Sequence, residues 1–422
     1  MKTDMDLNLK IPRIIAVNEL NDYSGGPFVF SQTLHALQQQ GYEIHLFTAT
    51  PTGNGFLNEI WGVYQHSLSY HSSRNKWVNR IWFLWRQLFL FFRVLIFSHS
   101  GDIIYINSMF PFSAAIAGRL RGCKVLYHIH EVSVQPVVLK KFLLFVINHT
   151  ASHCLYVSNY AIQHTNSRVA GTVVTNALPL SFIERVMNNH VMIEKSFTVL
   201  MLCSLKKYKG INEFVQCAMR LPEMKFELVL NASREAIDDF FAESCPLPSN
   251  LHIHDAQSNV HPFYANASVV VNLSLPDKWI EPFGMTALEA MYYRKPVIVP
   301  IAGGIADLVE NNINGFCVDA NDIDAVVKKI QLLSSDSALY IRMSNAAYAK
   351  ASKFTQKKFR QSIIQTIHKL RANQEKVEDI NLSLNTNLAE IYNKEERENN
   401  DYMKARYPGP IVRFWNDWST KN

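Results

Sequence analysis

The sequence predicts an α/β protein of two Rossmann-like, doubly wound parallel-sheet domains. Three observations carry this. The 422 residues exceed what one ordinary hydrophobic core organises. Short apolar runs of strand length alternate with helical stretches through the first half of the chain, which is the grammar of a parallel sheet. The same alternation then restarts after residue 196.

The opening unit reads strand, loop, helix, strand. Residues 13–20 (RIIAVNEL) are the first strand, and Gly25-Gly26 mark a loop. Residues 28–40 are helical, Gly41 ends them, and 42–49 (YEIHLFTA) form the next strand. Residues 102–108, 124–130 and 154–158 continue the sheet, separated by helices at 111–121 and 136–150. In the second half, strands are expected at 197–205, 226–232, 251–256, 268–275 and 296–302, with a helix at 210–220. A linker falls at 183–196. The expected division is a first domain over 1–185, a second over 196–371 and an extension over 372–422. That extension contains the charge run NKEERENND, either a surface helix or a loose tail. Two such domains face each other across a central cleft at the carboxyl ends of their strands, where ligands bind in this architecture.

Composition narrows the class. Charged residues are only 18% while aromatic residues reach 12%, a balance that favours buried helices or a membrane-facing surface. Between residues 70 and 150 there are ten Lys or Arg against two acids, Asp102 and Glu131. Such one-sided charge suits phosphate, anionic lipid or nucleic acid, or is simply a solvated face. The six cysteines are scattered without a Cys-x-x-Cys pair, so a disulfide framework or zinc site is not expected and a reducing cytoplasm is. The amino-terminal residues have no apolar run of the kind a signal peptide needs. No Gly-x-Gly-x-x-Gly follows the first strand, which argues against plain dinucleotide binding, and nucleic acid is not an expected partner.

The informative stretch is EPFGMTALEAMYYRKPVIVPIAGG, beginning at Glu281. It reads strand, loop, helix, strand, glycine loop. A helix opening at Gly284, Met285 and Thr286 presents unpaired backbone N–H groups that suit a diphosphate. Glu281 precedes that helix and Glu289 lies about one turn inside it. One carboxylate thus reaches sugar hydroxyls and the other a ribose, with the diphosphate between them.

Glu281, seven intervening residues, Glu289, and Pro-Phe-Gly after the first glutamate resemble the signature of family-four retaining glycosyltransferases of the GT-B fold, the group 1 glycosyltransferases. The resemblance extends over roughly residues 13–370. It implies transfer of a sugar from a nucleotide-diphosphate sugar to a glycan or other acceptor, with retention of configuration; a lipid-linked acceptor, as in bacterial surface polysaccharide assembly such as lipopolysaccharide or capsule, is expected if residues 77–97 lie on a membrane. By the same resemblance Gly25 and Gly26 form the glycine loop against the donor phosphate, Lys209 is the phosphate lysine, and His130 contacts the donor sugar. The catalytic set is then Glu281, His130 and Lys209. Gly25, Gly26, Ser204, Lys206, Gly284, Met285, Thr286 and Glu289 bind the nucleotide sugar. Ser204 stands where the family often has arginine, and Lys206 or Lys207 is the available replacement charge. Strand alternation sends His128 and His130 to one face.

No cofactor beyond the donor substrate is expected. Asp322-Ile-Asp324 reads as a helix cap and Asp4-Met-Asp6 lies before the first strand, so no metal requirement is expected either.

Residues 77–97 (WVNRIWFLWRQLFLFFRVLIF) form a long amphipathic helix. Arg86 and Arg93 interrupt it too strongly for a membrane span. Asn75, Lys76, Asn79, Arg80, Arg86, Gln87 and Arg93 fall within an arc of roughly 140°. The helix is either interfacial, on an anionic membrane surface, or packed on the first domain. The interfacial reading places a cytoplasmic protein peripherally on the inner face of the plasma membrane. Two rivals stay open: an epimerase of the same fold acting on a sugar nucleotide, and a sugar-nucleotide-binding subunit without catalysis.

Overall fold

The computed structural model describes residues 13–50, 53–58, 60–70, 73, 75–188, 196–242 and 246–372. The Asp4-Met-Asp6 pair, Cys245 and nearly all of the expected 372–422 extension lie outside them.

Runs of β-branched residues that bury both faces make the strands of a parallel sheet. In the first half these are β1 (Ile14–Leu20), β2 (Ile44–Ala49), β3 (Val63–Ser67), β4 (Ile103–Asn107), β5 (Lys124–Ile129), β6 (His153–Tyr156) and β7 (Gly171–Val173). They form one parallel sheet in the order β3-β2-β1-β4-β5-β6-β7. The helices are α1 (Gly25–Gln39), α2 (Lys76–Phe97), α3 (Phe112–Leu120), α4 (Val137–Thr150), α5 (Asn159–Thr165) and α6 (Leu180–Asn188). The order reverses between β1 and β4, the switch point where an open α/β sheet leaves a crevice.

The second half repeats the plan. Its strands are β8 (Thr198–Ser204), β9 (Lys225–Asn231), β10 (Leu251–His254), β11 (Val269–Val271), β12 (Val297–Pro300) and β13 (Gly315–Val318), in the order β10-β9-β8-β11-β12-β13. Its helices are α7 (Ile211–Arg220), α8 (Arg234–Phe241), α9 (His261–Asn266), α10 (Met285–Tyr292), α11 (Ile323–Ser335), α12 (Ser337–Ala351) and α13 (Gln356–Ala372). A 3-10 turn, Lys207–Lys209, joins β8 to α7.

Every strand read from the sequence is present. Three more appear, and each lacks the signal that a buried strand gives. β3 is a half-exposed edge strand (VYQHS), β7 has three residues, and β13 opens on a glycine. The expected linker at 183–196 is helical at its start, because α6 runs to Asn188 and its Phe182 packs on His261 of α9, ring centroids 4.4 Å apart. Residues 356–367, which the sequence reading counts with the second domain, attach to the first. Gln356 Nε2 donates to the Ala177 carbonyl at 3.3 Å and bonds Gln32, and Arg360 donates to Gln39 at 3.1 Å.

Candidate active site

The candidate residues lie at or after the carboxyl ends of strands in both sheets. On the second domain the chain leaves β8 at Ser204, makes the 3-10 turn, and presents Lys209. Lys209 Nζ donates to Glu281 Oε2 at 2.5 Å, and both side chains are mostly shielded from water. The ammonium has two further N–H bonds and the carboxylate a second oxygen. Tyr208 and Trp279 stack beside the pair, centroids 5.3 Å apart, with the ammonium over the indole ring.

Helix α10 opens where the sequence places it. Gly284 caps it in the left-handed region at φ 92°, and a Cβ there would stand 2.4 Å from Ile305. Only glycine meets both conditions without strain. Met285 and Thr286 follow, their amides at the end of the helix where no intrahelical acceptor exists. The glycine loop after β12 is pressed against this segment. A Cβ on Gly304 would lie 1.8 Å from the Pro282 carbonyl oxygen and 2.4 Å from Ser158 Oγ of the first domain.

One turn inside α10, Glu289 accepts a hydrogen bond from Tyr264 Oη of α9 at 2.5 Å. Burial pushes its carboxyl up to about 7, and the tyrosine hydroxyl pulls in the opposite direction. Glu289 is therefore separate from the Lys209–Glu281 pair and has its own partner.

On the first domain, His130 lies just past β5. Its Nε2 is 2.8 Å from Asn107 Oδ1, and Asn107 Nδ2 donates to Asn18 Oδ1 at 2.7 Å. This chain crosses the carboxyl ends of β5, β4 and β1 in order. With Asn107 oriented by Asn18, its oxygen accepts from His130, so the imidazole carries its proton on Nε2. Burial holds that imidazole down at about 4, so it is neutral near pH 7. His128 and His130 do share a face, with ring centroids 4.3 Å apart, and His128 is fully buried against Tyr105.

Gly25 and Gly26 are not a loop but the first turn of α1. Pro27 explains the difference: the first turn of a helix needs no N–H donor, so proline is accommodated there and the helix starts earlier than a glycine pair suggests. The Asn107 amide also reaches the Gly26 carbonyl at 3.5 Å, tying this turn to the strand ends. Ser204 lies at the end of β8, and Lys206 and Lys207 are exposed.

The two domains touch at the cleft. Ile280 N donates to Ser133 Oγ at 3.2 Å, joining the segment before Glu281 to the loop after His130. Tyr160 N donates to Asp307 Oδ2 at 2.9 Å. Asp322 caps α11, accepting from Ala325 N at 2.9 Å, and Asp324 pairs with Arg220. Sequence reasoning missed Asn18, Asn107 and Tyr264. The two asparagines had a signal: each is the first polar residue after the apolar run of its strand, toward the carboxyl end where ligands bind.

Two doubly wound parallel sheets, the second with an open helix end beside a lysine–carboxylate pair, are the GT-B arrangement of glycosyltransferases. Residues 23–181 match the family described as Glycosyltransferase Family 4, and residues 182–350 match Glycosyl transferases group 1. The chain belongs to the group 1 glycosyltransferases. Among solved structures it is similar to HepE of Anabaena in complex with UDP-glucose, with a TM-score of 0.68 at 19% identity, covering 85% of this chain and 99% of that one. An uncharacterized glycosyltransferase of Haemophilus influenzae is 25% identical over 153 residues, which is 35% of this chain and 42% of the relative. The capsular polysaccharide biosynthesis glycosyltransferase CapM of Staphylococcus aureus is 25% identical over 210 residues, 46% of this chain and 53% of the relative. The matches thus span about half or less of these two relatives' length.

Proposed function

We propose that this protein moves a sugar from a nucleotide-diphosphate sugar to a glycan or lipid-linked acceptor, with retention of anomeric configuration and without a metal ion, in assembly of a bacterial surface polysaccharide. The observation that carries the reading is the Lys209–Glu281 pair beside the open end of α10. The nucleotide sugar in the HepE structure and the capsular role of CapM support the substrate class.

In this reading the leaving diphosphate gains charge as the anomeric C–O bond breaks. Lys209, already held by Glu281, and the amides of Met285 and Thr286 meet that charge without rearranging. Glu281 accepts from sugar hydroxyls and Glu289 from the ribose. Neutral His130, its Nε2 proton given to Asn107, accepts at Nδ1 from a sugar hydroxyl on the first-domain side. Glu281 and Glu289 each have a fixed partner, which disfavours either as a covalent nucleophile. The acceptor hydroxyl therefore attacks from the face the diphosphate leaves. Its oxygen bonds to the anomeric carbon and its proton passes to a leaving phosphate oxygen.

A panel of nucleotide sugars in a thermal-shift assay tests donor binding, because a ligand specific to the native state raises its melting point. Release of free nucleotide only with acceptor present separates transfer from epimerisation. NMR of the product glycoside reads retention. A panel in which no nucleotide sugar moves the melting point would sink the donor site.

A further inference from the structure

Helix α2 is turned the opposite way from what its polar arc suggests. Arg86 faces inward and pairs with Glu19 at the end of β1. Gln87 is buried and accepts from Ser113 Oγ of α3 at 2.8 Å. Arg93 lies over Phe47 of β2. Leu90 and Val94 complete this inward face.

The outward face is apolar. Trp77, Ile81, Trp85, Leu88, Phe92 and Ile96 follow one another at spacings of four or three residues and form a single stripe. All six are exposed, Trp77 by 69%, Trp85 by 61% and Ile96 by 79%. At 1.5 Å per residue the stripe is about 28 Å long. The apolar surface continues through Phe83, Phe112 and Phe142 onto α4, where Val138 and Phe145 are exposed. A solvated monomer rarely leaves so large a contiguous apolar face uncovered.

Charge says what covers it. The two acids among residues 70–150 are both withdrawn: Asp102 is buried against Arg13, and Glu131 accepts from the Met109 amide. Arg80 on α2 and Lys141 on α4 are exposed, as are Arg119 and Arg121 at the end of α3. Among the described residues, no helix is long and apolar enough to cross a membrane. We propose that α2 and the outer face of α4 lie in the surface of an anionic lipid bilayer. The Trp and Phe side chains enter the acyl boundary and the bases meet lipid phosphates.

The placement has a geometric consequence. Phe97, at the end of α2, accepts from Arg13 just before β1, while Arg86 pairs with Glu19 at the far end of that strand. The ten residues before Arg86 add about 15 Å of helix, so they overhang the carboxyl edge of the sheet. Trp77, Ile81 and Trp85 therefore sit on the side of the cleft. The docked face would bring a lipid-linked acceptor to the opening of the candidate active site.

The inference stands apart from the donor-site reading and is tested apart from it. The full chain is sedimented with phosphatidylcholine vesicles and with vesicles also containing phosphatidylglycerol. Binding is expected to the anionic vesicles, weakened by salt. Trp77→Ser, Ile81→Ser and Trp85→Ser combined should weaken it by at least about tenfold. Arg80→Glu with Lys141→Glu is the second arm, which reads the charge separately from the apolar stripe. It should keep the parent's unfolding midpoint and its response to nucleotide sugars, yet bind anionic vesicles about tenfold more weakly or worse. Equal sedimentation of parent and both variants, or no sedimentation at all, overturns the proposal. So does a chain that is dimeric in solution and whose dimer, rather than vesicle binding, is lost in the triple variant.

Discussion

Lys209 Nζ and Glu281 Oε2 stand 2.5 Å apart although 72 residues separate them in sequence. The contact joins the turn after β8 to the segment before α10, so cation and carboxylate are in place before any substrate arrives. Lys209→Ala should lower kcat by about 100- to 1000-fold, the range for loss of one preorganised donor at a developing anion. Glu281→Gln keeps the shape but loses the ion pair and should fall comparably. Steady-state kinetics with the circular dichroism spectrum unchanged is the check. Full turnover in Glu281→Gln would remove this residue from the mechanism.

Glu289 gives the enzyme a pH signature. Its carboxyl is raised to about 7 by burial. The folded state thus holds this proton more tightly than the unfolded chain. The associated stability is complete below the unfolded value near 4.5 and declines as pH rises through about 7. Donor affinity runs the other way, since an ionised carboxylate accepts ribose hydroxyls better. KM for the donor should fall as pH rises through 7, and Glu289→Gln should abolish that step. Tyr264→Phe removes the hydroxyl that lowers this carboxyl, so the midpoint should move to higher pH. A donor KM flat in pH for the parent would contradict the assignment.

Gly304 tests the packing of the site. Alanine there meets the Pro282 carbonyl oxygen at 1.8 Å, and the backbone has to shift. A loss of about 1–3 kcal/mol is expected, as for other overpacked positions. The displaced segment is the one that presents Glu281, so donor binding should weaken more than stability does. Denaturant midpoints and donor titration on one preparation separate the two.

Arg86 and Glu19 form a shielded ion pair, with 10% and 17% of the side chains exposed. Burial raises the Glu19 carboxyl and Arg86 opposes that rise. Arg86→Met leaves the carboxylate without its partner and should cost about 3 kcal/mol near neutral pH. The deficit should shrink as pH falls and Glu19 takes up a proton. Adding Glu19→Gln should restore most of the stability at neutral pH.

Much of this was legible in the chain itself. Ile103–Ile106 and Val269–Val271 read as buried strands because β-branched runs of that length bury both faces. The start of α10 was legible because glycine before a helical run, following Glu281, is a local signal. The orientation of α2 was not. Its apolar residues occur on both sides, and its polar residues look solvated until Glu19, Ser113 and Phe47 are placed beside them. Those partners are distant in sequence, and only the folded sheet brings them together. Tyr264 escaped for the same reason, since nothing local marks it as a partner for Glu289. Gly25 and Gly26 misled because turn chemistry and a proline-assisted helix start share the same residues.

The chain passes between the two sheets twice, once after Leu178 and again between α12 and α13. The crossings lie side by side, because Gln356 of the second donates to the Ala177 carbonyl of the first. One hydrogen bond thus fastens the two connections to each other, so a substitution at Gln356 would loosen both links between the sheets at once.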